Sequence, residues 1–448
     1  MKYIAADFGA GSGRVIVGSL APDKSIELEE IHRFANRQIS LNGRVYWDFL
    51  SLFEELKTGL RIAFSKYGSE IKSIGVDTWG VDYGLIDKNG YLISNPVCYR
   101  DNRTHGMLGE AFKVLPKDEF FQLAGNQFME INTAFQLLSC VKGGDAVLGV
   151  ADKLLFMPDL FNYFLSGRSA NEYTIASTSQ LLNSKERVWD KEIFAKLGLP
   201  MGLMQEIVYP GCVLGRLAKS VVEEVGGDAN VIAVGSHDTA SAFASIRDNG
   251  SDWAFISSGT WSLMGVPTDV PIQTKEALDA DFTNEGTADG RIRFLRNITG
   301  LWLIQQLVKE WERGGEKCDY SLLVKQAEQS NLESFVDVDD SRFSNPLSMQ
   351  EAIVSYCKEK GMVVPSSKGD FMRCVCLSLA NKYAQVKKQL EVCTGKKIEK
   401  IYIVGGGSKN ELLNKLTAEK TGCKVIKGDV EATAIGNITI QAKAAGEI

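Results

Sequence analysis

Asp238 stands in "SHDTAS", where the apolar run "VIAV" passes through Gly235 and Ser236 into a segment of small residues with helical character. A carboxylate there can take the proton of an alcohol while a phosphoryl group is transferred to its oxygen. At an ordinary pKa of ~3.9 it is ionised at neutral pH and accepts that proton late in a loose transition state. The positive end of a helix dipole favours the charge. The other reading of Asp238 is a helix N-cap, for which aspartate is well suited. His237 beside it is either a core imidazole or a partner for a sugar hydroxyl.

Three glycine-rich turns accompany this carboxylate. "YIAADFGAGSGRVIVG" (Tyr3–Gly18) bends between two apolar runs. On such a hairpin the backbone N–H groups of Ala10, Gly11, Ser12 and Gly13 can face nucleotide phosphates, and Arg14 can add a forked cationic contact. Asp7, at the entrance, can hold Mg²⁺ directly or through water, or can form an Asx turn with the following backbone. The plainer reading of the loop is a hairpin whose glycines sit at positive φ. A second strand–turn–strand unit, "WAFISSGTWSLMGV" (Trp253–Val266), offers Ser258-Gly259-Thr260. The third, "VGGGSKNELLNKL" from Val404, places three glycines between a strand and a helix. Backbone can then lie against a flat ring or a phosphate at a helix N-terminus, whereas a tight turn alone usually needs one glycine. "DTWGVDYG" sets Trp79 and Gly80 between Asp77 and Asp82, either as a sugar-binding wall or as a tryptophan buried at a strand end.

Other chemistries are excluded by context. Asp7-Phe8-Gly9 has neither the His-Arg-Asp loop nor the Val-Ala-Ile-Lys strand of a protein kinase. No Walker A sequence occurs, and the first glycine turn feeds a strand, unlike a dinucleotide fingerprint. A formal net charge of −6 argues against a nucleic-acid surface. Nine scattered cysteines lack zinc spacing and three histidines leave no histidine-rich site, so the expected metal is a hard cation on oxygen. "LLFMPDLFNYFL" is too short for a membrane span and is broken by Pro158 and Asp159, and "MKYIAADFGA" lacks a signal peptide's apolar core. The expected compartment is the cytoplasm, with no membrane partner.

The elements that must position these residues follow from length and pattern. A chain of 448 residues has the length of about two or three domains. Each half opens with a glycine-turn hairpin and continues in an α/β pattern, which points to duplicated α/β domains facing one another across a cleft. The expected division is 1–245 and 246–448, in the turn-rich connector "SIRDNGS" (Ser245–Ser251).

The ordered segments "DFGAGSGRV", "SIGVDTWGVDYGLID", "PVCYRDNRT", "EYTIASTSQLLN", "GSHDTASAF", "SSGTWSLMG", "TNEG", "RNITGLWLIQ" and "VGGGSKNELLNKL" resemble, essentially end to end, the FGGY carbohydrate kinases. The resemblance implies two ribonuclease-H-like, actin-type ATPase domains that transfer the γ-phosphoryl of Mg-ATP to a sugar. In the branch these segments match best, the acceptor is the C1 hydroxyl of L-rhamnulose. Carried over by position, the ATP loop falls on Ala10, Gly11, Ser12, Gly13 and Arg14, with further nucleotide contacts at Thr260, Gln305 and Gly406. The catalytic base falls on Asp238, with sugar contacts at Gly80, His237 and Thr239, and Asn297 is expected near the point of transfer. "INTAFQLLSCV" follows that branch rather than the Lys-and-Trp signature of many family members. The chain stops at Ile448, shortly after "EATAIGN", where the branch usually continues with a helical tail. The alternatives are a kinase of L-fuculose or another deoxyketose, and a sugar sensor or actin-like ATPase without transfer. Asp238 argues against the last two, since a sensor has no use for a base at the acceptor hydroxyl.

Overall fold

The computed structural model describes every residue except Asn249 and Asn345, so one position of the expected connector lies outside the described residues. The chain forms two compact units: Met1–Ser245 with Thr268–Arg293 and Ala432–Ile448, and Ile246–Pro267 with Phe294–Glu431. These differ from the two continuous stretches read from the sequence, because residues 268–293 and 432–448 join the first unit.

The first unit is built on a sheet of β1 (Lys2–Phe8), β2 (Ser12–Leu20), β3 (Ile26–Ala35), β4 (Ile71–Thr78), β5 (Val213–Arg216) and β6 (Asn230–Ile232), in the order β5-β6-β4-β1-β2-β3. β1 pairs antiparallel with β2 and parallel with β4. Its residues are apolar almost throughout because both faces are covered. Ile4, Ala6 and Phe8 enter one core with Trp47, Phe49 and Leu60, whereas Tyr3 and Ala5 enter another with Ala434, Ile438 and Ala442. Alternate side chains of a strand point to opposite faces, so one sequence serves two layers.

That second layer explains why the C-terminal helix Ala432–Ala444 belongs with the N-terminal strands. Gln441 Nε2 donates to Ile4 O (2.9 Å), and Ser73 Oγ donates to Gln441 Oε1 (2.6 Å). A Cβ on Gly436 would lie 1.7 Å from Ser241 O, so only glycine lets this helix back onto the helix Asp238–Ala244.

In the second unit, β7 (Trp253–Ser258) pairs antiparallel with β8 (Trp261–Thr268) and parallel with β10 (Lys400–Val404). With β9 (Ile292–Thr299) and β11 (Lys424–Lys427) the strand order is β9-β8-β7-β10-β11. β8 and β9 each run past the unit's limits at one end. The long helix Lys368–Thr394 begins with a capping box between Ser367 and Asp370. Both hairpins expected from the sequence are present, each flanked on its first strand by a parallel neighbour.

Candidate active site

The helix Asp238–Ala244 starts on Asp238, and the residue in the capping position is His237, whose side chain makes no capping bond. The N-cap reading of Asp238 is therefore not the observed geometry. Its carboxylate is 32 % exposed, receives a hydrogen bond from Thr239 Oγ1 (3.1 Å), and lies 3.5 Å from His237 Nε2.

Backbone contacts fix this corner. Thr78 N–H at the end of β4 donates to Ser236 O (2.9 Å), and His237 N–H donates to Thr174 Oγ1 (3.2 Å). Glu172 caps the short helix Tyr173–Ala176 and also accepts from Ser236 N–H (3.2 Å). Burial pushes the Glu172 carboxyl up to about 7 even against those donors. A Cβ on Gly80 would sit 3.4 Å from both His237 Nε2 and Thr178 Oγ1. The structure thus brings Gly80, His237, Asp238 and Thr239 together around one partly open carboxylate.

Two groups that sequence reasoning missed complete the corner. Arg293 is fully buried, and its Nη2 lies 3.2 Å from both His237 Nδ1 and Glu285 Oε2. Burial opposes the charge on Glu285, but its hydrogen-bonding and charged neighbours outweigh it and hold that carboxyl below its usual range. The available signal was a charge inside the apolar run "IRFLRNIT", seven residues after the "TNEG" segment ends.

Nearby in the same unit, Asp7 faces Arg14 across the hairpin and Asp77 across the parallel pair. Arg14 Nη2 and Asp7 Oδ2 form an ion pair at 2.5 Å, so the expected phosphate contact and the expected metal ligand meet each other. Burial, and then the charge of Asp7, push Asp77 well above the usual carboxylate range. Asp77 Oδ2 accepts from Asn437 Nδ2 (2.6 Å), while its buried Oδ1 has no partner among the described residues. Among those residues no group of three or more His, Cys, Asp or Glu is arranged around a metal position.

The turn itself is not a hairpin of positive-φ glycines, since Gly9, Gly11 and Gly13 all lie outside that region. Gly13 is required by packing, because a Cβ there would lie 2.3 Å from the Phe34 ring. Gly11 faces open space, and Ser12 is exposed. Asn36 Nδ2 donates to Gly9 O (2.9 Å) and holds the turn from beneath.

Trp79 is core. Its indole N–H donates to Asp82 (3.0 Å), which also accepts from Trp47 Nε1, Gln136 Nε2 and Tyr99 N–H. Burial raises Asp82 to about 6, and its lone pairs are occupied by protein donors. Of Trp79, Gly80 and Asp82, Gly80 alone borders the His237 side chain.

In the second unit the residues expected to meet the nucleotide carry no charge. Thr260 Oγ1 donates to Gln305 Oε1 (3.2 Å), joining two expected nucleotide contacts. The triple-glycine turn divides its work: a Cβ on Gly407 would fall 1.9 Å from Ser258 Oγ, and Gly405 has φ +83° with Ser258 O at 3.1 Å from its own added Cβ. Only Gly406 of the three faces open space. A 3₁₀ turn, Gly406–Lys409, takes in the last two glycines and precedes the helix Glu411–Thr421, which Asn410 caps. Asn297 lies half-buried on β9.

This architecture is the actin-like ATPase fold of small-molecule kinases. A xylulose kinase from Lactobacillus acidophilus shares it with a TM-score of 0.79 at 15 % identity, over 99 % of this chain and 89 % of that one. Plasmodium falciparum glycerol kinase with ADP shares it with a TM-score of 0.80 at 14 % identity, over the same fractions. Residues 2–244 match the N-terminal domain of the FGGY family of carbohydrate kinases and residues 254–445 match its C-terminal domain. The chain belongs to that family. Among its relatives, a rhamnulokinase of Oceanobacillus iheyensis is 42 % identical over 99 % of this chain and 93 % of the relative. A rhamnulokinase of Bacteroides thetaiotaomicron is 41 % identical over 100 % of this chain and 91 % of the relative.

Proposed function

We propose that this kinase phosphorylates L-rhamnulose on its C1 hydroxyl with ATP as donor, giving L-rhamnulose 1-phosphate and ADP. The observation that carries the chemistry is Asp238: a carboxylate at a helix start, partly open, and not occupied as a cap. As the C1 oxygen forms its bond to the γ-phosphorus, Asp238 takes the hydroxyl proton, and ADP leaves with the electrons of the broken P–O bond. Gly80, His237 and Thr239 bind the sugar beside it. Likeness to rhamnulokinases over almost the whole chain supports the choice of sugar.

ATP is assigned to Ala10, Gly11, Ser12, Gly13 and Arg14 of the first unit and to Thr260, Gln305 and Gly406 of the second, with Asn297 near the transferred group. The residues present fit Mg²⁺: Asp7 stands beside Asp77, whose buried Oδ1 lacks a donor, and a hard cation is what such oxygens accept. Asp7 would hold the ion, which supplies charge neutralisation to the phosphates when bound. Use of ATP as the donor supports a reaction in the cytoplasm.

A panel of ketoses assayed with Mg-ATP for ADP release tests the reading. The expected kcat/KM for L-rhamnulose exceeds that for L-fuculose by roughly tenfold or more, the scale at which a site discriminates by placed hydrogen-bonding groups. A preference for L-fuculose would reassign the substrate. Brisk ATP hydrolysis with no response to any sugar would favour an actin-like ATPase.

A further inference from the structure

We propose that Arg293 is a positioning residue that holds His237 with Nδ1 as an acceptor and its proton on Nε2, so that the ring donates beside Asp238 and does not act as a second base there. The inference rests on the reading of His237 as a sugar contact.

A guanidinium keeps its protons under all ordinary conditions and can only donate. Arg293 is anchored by Nε donating to Gly286 O (3.0 Å), which presents Nη2 to His237 Nδ1 at 3.2 Å. A proton on Nδ1 would face one N–H with another at that distance, so Nδ1 is the acceptor. Glu285 Oε2 lies 3.4 Å from the same nitrogen, but its charge is already met by Arg293 at 3.2 Å. With the Nδ1 lone pair engaged, the neutral ring carries its proton on Nε2.

That placement has two chemical consequences. Nε2 is the nitrogen that lies 3.5 Å from Asp238 Oδ1 and borders the space left by Gly80. It therefore offers a hydrogen bond to a sugar oxygen on the side where Asp238 works. It also has no lone pair there, so His237 cannot compete for the hydroxyl proton. Fully buried Arg293 borders neither the open face nor Asp238 and acts through the imidazole, while nearly buried Glu285 meets the charge of the guanidinium.

The full chain labelled with ¹⁵N-histidine tests the tautomer directly. It has three histidines, and a His237→Gln variant assigns the signal. In the sugar-free enzyme near pH 8, the expected pattern is a protonated Nε2 and a bare Nδ1. A protonated Nδ1, alone or together with Nε2, would overturn the proposal. In kinetics, Arg293→Met should raise KM for L-rhamnulose by roughly tenfold, the loss of about one hydrogen bond of 1.4 kcal/mol, with KM for ATP unchanged. Arg293→Lys, which still donates to Nδ1, should lie nearer the parent in both spectrum and KM. If Arg293→Met does not fold, the parent and Lys spectra still decide the tautomer. The expected spectrum with an unmoved sugar KM in Arg293→Met would overturn the positioning role. Loss of ATP affinity alone would instead count against the assignment of this corner to the sugar.

Discussion

The two units open with the same hairpin and furnish it in opposite ways. In the first, Asp7 stands opposite Arg14 and beside Asp77 of the parallel strand; the corresponding places in the second hold Ser257, Leu263 and Val404. The contrast extends past the turns. Among the described residues, the carboxyls that burial pushes up, Asp77, Asp82, Asp159 and Glu172, all lie in the first unit. In the second, Glu310 and Asp337 stay below their usual range because donors and cations outweigh burial, and the Ser330 hydroxyl and the capping box lower Asp370 to about 2. A common backbone frame thus carries buried, charged side chains in one unit and a neutral, backbone-lined turn in the other. Strand order does not decide where these carboxyls lie; the side chains set into it do.

The largest effect should come from removing the one carboxylate the second unit has no need of. Asp238→Asn is expected to lower kcat by roughly 10²–10⁴-fold, the range of general-base loss, while calorimetry finds sugar and ATP binding nearly intact. Near-normal turnover would return Asp238 to a structural role and blur the contrast between the units.

Next in size is the pH dependence of stability. The folded pKa of Glu172, about 7, lies above its ordinary 4.5, so the folded state keeps a proton that the unfolded state releases between those values. Stability from this group is full below about pH 4.5 and falls as pH rises towards 7, by about 3 kcal/mol. Urea midpoints at pH 5 and pH 8 should differ less in Glu172→Gln than in the parent. An unchanged difference would mean that burial costs Glu172 less than the fold implies.

A pair of adjacent substitutions sharpens the reading of the second unit. Gly407→Ala drives a methyl into Ser258 and should cost about 1–3 kcal/mol of stability. Gly406→Ala, facing open space, should stay within about 0.5 kcal/mol, and its effect should fall on KM for ATP instead. Equal melting behaviour of the two would show that the turn is not divided between packing and ligand.

The smallest expected effect lies at the second unit's long helix. Asp370→Asn weakens the capping box and should cost about 1 kcal/mol near neutral pH, a modest value because this carboxylate is only partly buried. Asp370 has a depressed folded pKa, so its contribution is present above about 4 and is lost as pH falls towards 2. Acid titration of stability should therefore lose its lowest-pH component in this variant, the opposite limb from the one Glu172 controls.

Much of the site was legible because it is written locally. Strand, glycine turn and strand are readable from apolar runs and small residues. Asp238 declared itself by standing where a strand gives way to a helix, and the ordered family segments brought Gly80, His237 and Thr239 with it. What escaped was contributed from far along the chain. Arg293 and His237 are 56 residues apart, and Asn437 reaches Asp77 across 360. Trp79 illustrates the same limit: beside two carboxylates it reads equally as a ligand wall or as core, until Trp47, Gln136 and Tyr99 converge on Asp82 and occupy its lone pairs.

By itself, the sequence determined the two hairpins, the three glycine turns, the placing of Asp238 between a strand and a helix, and the family, since each depends on residues adjacent in the chain or on motifs in order. Only the tertiary structure decided which glycines face open space and which admit a neighbouring atom. It also decided that the C-terminal helix completes the first unit, and that Arg14 is paired with Asp7. Those outcomes turn on excluded volume, desolvation and hydrogen-bond partners supplied by distant segments. A glycine under a phenyl ring and a glycine at an open turn carry the same letter, and folding alone distinguishes them.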